Sequence, residues 1–119
     1  MLDDILEQIH NIHESILTVQ KRFSSIKTPL DFVTSETGTL LLDSICMRLQ
    51  SIGEQIKSID KHYKTFFEKY PEINWNDLIR LRDLISHHYN DIDYEEIYLI
   101  CSSELPPLLT VIEKIIKEN

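Results

Sequence analysis

The chain has 119 residues, the size of one domain, with only two glycines and four prolines, too few breakers for the closely spaced turns of a β-sandwich or barrel. Hydrophobic residues make up 42% and charged residues 27%, which excludes collagenous, low-complexity and disulfide-stapled classes, and no apolar run approaches the roughly 20 residues of a membrane span. Twenty acidic against twelve basic residues give a net charge of −8, which disfavours loose binding to nucleic acid but does not exclude a small basic site, least of all one assembled between subunits.

The acidic start, Met1-Leu2-Asp3-Asp4, is unlike a secretory signal or a transit peptide. Leu2, Ile5, Leu6, Ile9, Ile12, Ile16, Leu17, Val19, Phe23 and Ile26 recur mostly in steps of three and four, the stripe of one long amphipathic helix. Lys27 to Gly38 reads as a linker, opened by Thr28-Pro29 and rich in turn formers; Asp31 or Ser35 can cap the helix after it. A second helix is predicted from near Thr39 to Ile59 on the stripe Leu41, Leu42, Ile45, Leu49, Ile52, Ile56 and Ile59. Gly53 inside it costs about 1 kcal/mol relative to alanine, and a close approach by another helix would compensate. Asp60 is expected to begin a short third helix carrying Tyr63, Phe66, Phe67 and Tyr70, which ends at Pro71.

A fourth helix starts near Asn74, a suitable N-cap with Asp77 three positions on. Trp75, Leu78, Ile79, Leu81 and Ile85 are its apolar positions, with Leu84 a sixth candidate. Asn90-Asp91 suggests a turn, and Asp93 with Glu96 opens a helix through Ile97, Ile100, Cys101 and Leu105. Pro106-Pro107 interrupts a pattern that Leu108, Leu109, Ile112, Ile115 and Ile116 resume at once, so the last helix is kinked or is two helices in line. The expected fold is all-α, an up-and-down bundle of four to five helices with the last kinked at Pro106-Pro107. Cys46 and Cys101 fall in apolar helical patterns and read as buried thiols in a reducing compartment, which fits a cytoplasmic protein.

The chemistry is concentrated between Arg80 and Tyr89, where two arginines, an acid, a serine, two histidines and a tyrosine fall within ten residues. On a helix Arg82, Ser86 and Tyr89 share a face, whereas His87 lies about 140° from Arg82. Those two converge only if the arginine wraps, the helix distorts, or a second subunit closes the site. His88 reads as a solvent-facing residue or a helix C-terminal cap. His10 and His13 are one turn apart, but beyond the adjacent Glu14 no third ligand is evident, so they read as surface residues and no metal site is expected. Tyr63, Phe66, Phe67 and Tyr70 read as core packing in preference to base stacking.

Arg82-x4-His87-x-Tyr89 matches the Arg-x(4–6)-His motif of the HEPN superfamily in its Arg-x4-His-x-Tyr form. Trp75 lies upstream, the run Arg82-Asp83-Leu84-Ile85-Ser86-His87-His88-Tyr89 comes next, and Ile92-Asp93 precedes the next helix. Ile52-Gly53-Glu54 in the second helix and Leu105-Pro106-Pro107-Leu108 in the last add to the match. With them most of the chain resembles the HepT toxin family, and residues 1–119 read as a single HEPN-like helical domain. The Arg…His spacing alone is weak evidence; its combination with Tyr89, Gly53-Glu54 and the terminal Leu105-Pro106-Pro107-Leu108 is fairly specific. One position departs from the family pattern: the residue after the motif arginine, usually asparagine, is Asp83. That adds a negative charge beside the expected phosphate site, and it either weakens RNA binding or orients His87.

The resemblance implies a metal-independent endoribonuclease toxin of a toxin–antitoxin system, working without a cofactor. It further implies a cytoplasmic homodimer whose motif helices meet at a cleft. The partner is an MNT-type nucleotidyltransferase antitoxin that transfers AMP to the motif tyrosine, here Tyr89. Arg82 is then the phosphate clamp, His87 the general base or acid, Tyr89 the modified residue that also contacts RNA, and Asp83 a supporting residue. Lys57, Lys61 and Lys64 form a solvated face that could guide RNA to the cleft. The alternatives are a non-catalytic HEPN-like dimer that binds nucleotide or a partner protein, and a structural protein whose polar cluster fixes dimer register. Arg82, His87 and Tyr89 together favour the nuclease; Asp83 and the net charge count against it.

Overall fold

Amphipathic stripes become four helical rods. They are α1 (Leu2–Phe23), α2 (Glu36–His62), α3 (Trp75–His87), and a last rod in which α4 (Tyr94–Leu99) continues through a π-helical turn (Ile100–Glu104) into α5 (Leu105–Glu118). The computed structural model describes residues 2–87 and 91–119, with Ser86 and His87 given by their helical backbone. α1 packs on α2 and α5, and α2 also packs on α3, the layout of an up-and-down bundle. The radius of gyration is 14.4 Å. No helix among the described residues is long and apolar enough to cross a membrane.

α1 buries Ile5, Ile9, Ile12, Ser15, Ile16 and Val19, with Asp3 and Asp4 in its first turn and Lys21 and Arg22 in its last, as the helix dipole favours. Leu2 and Leu17, counted in the stripe from sequence, stand largely exposed. Leu17 is turned about 100° from the row that Ile5, Ile9, Ile12 and Ile16 define, and Leu2 is the first residue of the helix, at its open end. Ser15, the buried polar residue of that row, accepts a hydrogen bond from Arg48 Nη1 at 3.5 Å.

Both cap candidates in the linker act, each on a different element. The Asp31 carboxylate accepts from the backbone N–H of Lys27 (2.8 Å) and Thr28 (3.0 Å), closing a 3₁₀ turn over Pro29–Phe32 that buries Phe32. Those two N–H groups hold the Asp31 pKa below its ordinary value. Ser35 Oγ accepts from Gly38 N at 2.9 Å and starts α2 at Glu36, ahead of the expected Thr39. The first turn of α2 is polar, so the apolar stripe alone places the start too late.

The separate helix expected from Asp60 does not form there. Asp60 belongs to the last turn of α2, which runs to His62, and a 3₁₀ turn over Phe66–Lys69 comes after it. The short turn folds aromatic residues inward. Phe67 stacks on Trp75 with ring centroids 4.0 Å apart, and Trp75 Nε1 donates to the Tyr70 carbonyl at 2.8 Å. Phe67, Tyr70 and Trp75 are buried, so the aromatic cluster is core packing.

The last rod explains how two prolines sit inside a continuous helix. Pro106 and Pro107 offer no N–H, and their rings crowd the carbonyls one turn back. The chain widens there: Leu105 N–H donates to the Ile100 carbonyl, five residues back, and the prolines occupy the first turn of α5. This is the kink expected at Pro106-Pro107. Asp93 caps α4 by accepting from Glu95 N (3.1 Å) and Glu96 N (3.2 Å). Cys46 and Cys101 are free and buried, and burial pushes each thiol pKa up to about 12.

Candidate functional site

The site begins at a glycine. α3 crosses α2 at Gly53, where a Cβ would lie 2.9 Å from the Leu78 carbonyl oxygen and 3.3 Å from the Arg82 nitrogen. The close approach expected to offset an interior glycine is therefore made by α3, at the residue that opens the Arg-x4-His motif. α3 is held by Trp75, Leu78, Leu81 and Ile85, all buried, and Asn74 Oδ1 accepts from Asp77 N at 3.4 Å at its start. This anchored face leaves Arg82 at the margin between core and solvent.

Arg82 reaches across to α2. Its Nε donates to Glu54 Oε1 at 3.0 Å, and its Nη1 lies 3.6 Å from Asp83 Oδ1. The three side chains are 43%, 50% and 57% exposed for Arg82, Glu54 and Asp83, so solvent screens both charge pairs and neither adds much to the stability of the fold. Arg80, on another side of α3, lies 3.8 Å from Asp77 and is not part of this group.

Of the residues expected to act, the structure brings Arg82 and Asp83 together. Asp83 stands against the arginine it follows. His87 is the last residue of α3, five positions after Arg82, a rotation of about 140° along the helix. His88, Tyr89 and Asn90 lie outside the described residues, and with them the expected modification site and half of the expected Asn90-Asp91 turn.

Sequence reasoning missed Glu54 as a site residue. The Gly53-Glu54 pair was its signal: the glycine admits α3, and the next residue meets the arginine that α3 carries. Elsewhere, His13 Nε2 pairs with Glu113 Oε2 at 3.1 Å, bridging α1 to α5, while His10 is exposed. Among the described residues no group of three His, Cys, Asp or Glu side chains is placed to hold a metal. Lys57, Lys61 and Lys64 are all exposed.

The ribonuclease HepT-like family model matches residues 5–115, and the chain belongs to that family. Among its relatives is "Putative RNase MJ0127" of Methanocaldococcus jannaschii, 37% identical over 75 residues, which are 63% of this chain and 60% of that one. "Gamma-glutamylcyclotransferase and putative RNase MJ0434" of the same organism is 30% identical over 118 residues, 99% of this chain and 50% of the other. "Probable ribonuclease HepT" of Thermococcus cleftensis is 30% identical over 74 residues, 62% and 64% of the two chains. The chain thus spans between half and two thirds of the length of these relatives. No solved structure matches it.

Proposed function

We propose that this chain is a metal-independent endoribonuclease toxin of a toxin–antitoxin system, silenced when a nucleotidyltransferase antitoxin transfers AMP to Tyr89. The observation that carries the reading is the placement of Arg82. In a chain of the ribonuclease HepT-like family, this arginine is half exposed at the edge of a well-anchored helix, five residues before His87.

The chemistry needs no metal if the RNA supplies its own nucleophile. The 2′-hydroxyl attacks the adjacent phosphorus as His87, the residue type suited to proton transfer at neutral pH, takes the proton. The bond from phosphorus to the 5′-oxygen breaks, and that oxygen leaves with a proton from an acid, leaving a 2′,3′-cyclic phosphate. Arg82 holds the phosphate oxygens, whose charge grows in the transition state, through paired N–H groups. A homodimer supplies two copies of each residue and answers the separation of Arg82 and His87 on one helix. Tyr89 is the residue at which the antitoxin acts, its phenolic oxygen joining the α-phosphorus of a nucleoside triphosphate as pyrophosphate leaves.

The test is cleavage of RNA by purified protein in EDTA, with the new ends mapped. Cyclic phosphate ends, lost in Arg82→Ala and His87→Ala, are expected. Cleavage that requires added divalent metal would overturn the mechanism. Binding of RNA without any cleavage would favour a non-catalytic dimer.

A further inference from the structure

Two carboxylates share one guanidinium. Resting on the ribonuclease reading, we infer that Glu54 is the positioning residue of Arg82, fixing Nε so that Nη1 and Nη2 face the RNA phosphate, while Asp83 restrains that free edge until phosphate displaces it.

The Glu54 contact is fixed by backbone, not by side chains alone. Glu54 follows Gly53, and Gly53 lies so close to α3 that a Cβ there would meet the Arg82 nitrogen at 3.3 Å. The two side chains therefore start from backbones locked together one residue away, and close at 3.0 Å, a charge-assisted hydrogen bond through Nε. A guanidinium held at Nε keeps the Nη1–Nη2 edge for bidentate contact with a phosphodiester.

Asp83 bears on that second edge. Its Oδ1 lies 3.6 Å from Nη1, an ion-pair distance but longer than a hydrogen bond. It attracts the arginine without engaging it fully, and it is the most exposed of the three side chains. A phosphate offering two oxygens makes the stronger contact and displaces it. An asparagine at this position would lack that competing charge, so Asp83 attenuates RNA binding.

The test uses the full chain labelled with ¹⁵N-arginine. The Arg82 Nε–Hε resonance is identified by its loss in Arg82→Lys. Binding is measured with a 2′-O-methyl RNA oligonucleotide, which lacks the attacking hydroxyl, and kcat and KM with unmodified RNA. In Glu54→Gln the Arg82 resonance should move and exchange faster with water. Its kcat should fall about tenfold with no loss of oligonucleotide binding, because a negative charge has gone; Glu54→Asp should recover part of kcat. Asp83→Asn should leave the Nε resonance in place and tighten oligonucleotide binding about threefold.

An unmoved Arg82 resonance or an unchanged kcat in Glu54→Gln would overturn the positioning role, and weaker binding by Asp83→Asn would overturn the restraint. The resonance and the binding need no turnover. A wild-type protein that cuts nothing therefore sinks the ribonuclease reading while these two measurements still judge the brace. Circular dichroism spectra that match the wild type establish that the variants are folded.

Discussion

Gly53 of α2 and Arg82 of α3 meet backbone to backbone: a Cβ on the glycine would stand 3.3 Å from the Arg82 nitrogen, and 2.9 Å from the Leu78 carbonyl oxygen. Alanine at 53 gains about 1 kcal/mol in helix propensity. It also forces two helix backbones apart, and overpacking of that kind costs about 1–3 kcal/mol. Gly53→Ala should therefore lose up to about 2 kcal/mol in urea unfolding. It should also cut RNA cleavage at temperatures where the variant is fully folded, because the Glu54–Arg82 contact rests on the same crossing. A stabilised variant with full activity would refute this account of the glycine.

The helices were legible because burial writes a period of three and four residues into the sequence, as Ile5, Ile9, Ile12 and Ile16 do along α1. Boundaries were less legible where polar caps and not apolar residues set them, so Ser35 begins α2 in a stretch with no stripe. The aromatic run after Asp60 carried helical spacing but folded as a 3₁₀ turn, because Phe67 and Tyr70 are drawn onto Trp75 of the next helix. The Glu54–Arg82 pair was not legible at all from periodicity. It depends on the register between two helices and joins residues 28 positions apart in sequence, and only the conspicuous glycine marked the crossing.

The second prediction concerns the arrangement of the proposed site in a dimer. If Arg82 of one protomer works with His87 of its partner, inactive Arg82→Ala and His87→Ala proteins should complement each other when mixed. A dimer with one protomer of each kind retains one of its two pairs, and random exchange makes half of the dimers mixed, so an equimolar mixture should recover about a quarter of wild-type activity. If both residues act within one protomer, no mixture recovers anything. Light scattering that shows a monomer at micromolar concentration would remove the basis for the experiment and the composite site with it.

The cysteines give a pH-dependent prediction independent of function. Cys46 and Cys101 are buried, and burial raises each thiol from about 9 to about 12. Unfolded thiols ionise near pH 9 while folded ones keep their protons, so over pH 9–12 the native state binds more protons than the unfolded state. Stability is then complete below pH 9 and declines as pH rises towards 12, by at most about 1.4 kcal/mol per pH unit for each thiol. Urea titrations at pH 8, 9.5 and 10.5 check the direction. Cys46→Ser with Cys101→Ser should flatten that alkaline slope even though it lowers stability at pH 8. At pH 8 a thiol reagent should label neither cysteine until urea unfolds the chain; rapid labelling of the native protein would contradict their burial.

The last prediction addresses the proposed switch at Tyr89, seven positions after Arg82 in the sequence. An AMP on its phenolic oxygen carries a phosphodiester, the group Arg82 is proposed to clamp in RNA. That phosphate competes for the Nη1–Nη2 edge, where Asp83 binds only weakly at 3.6 Å. The adenosine adds bulk where the substrate must enter, so inhibition requires no unfolding. Co-expression with the cognate nucleotidyltransferase should add one or more AMP units and remove toxicity, while the circular dichroism of the purified chain stays the same. Tyr89→Phe should fold, escape modification and remain toxic in the presence of the partner. The Arg82 Nε–Hε resonance, sensitive to a new anion on the same guanidinium, should shift in the modified protein and not in Tyr89→Phe treated alike. Peptide mapping by mass spectrometry decides the case: AMP on a different residue, or full protection of cells expressing Tyr89→Phe, would rule out this switch.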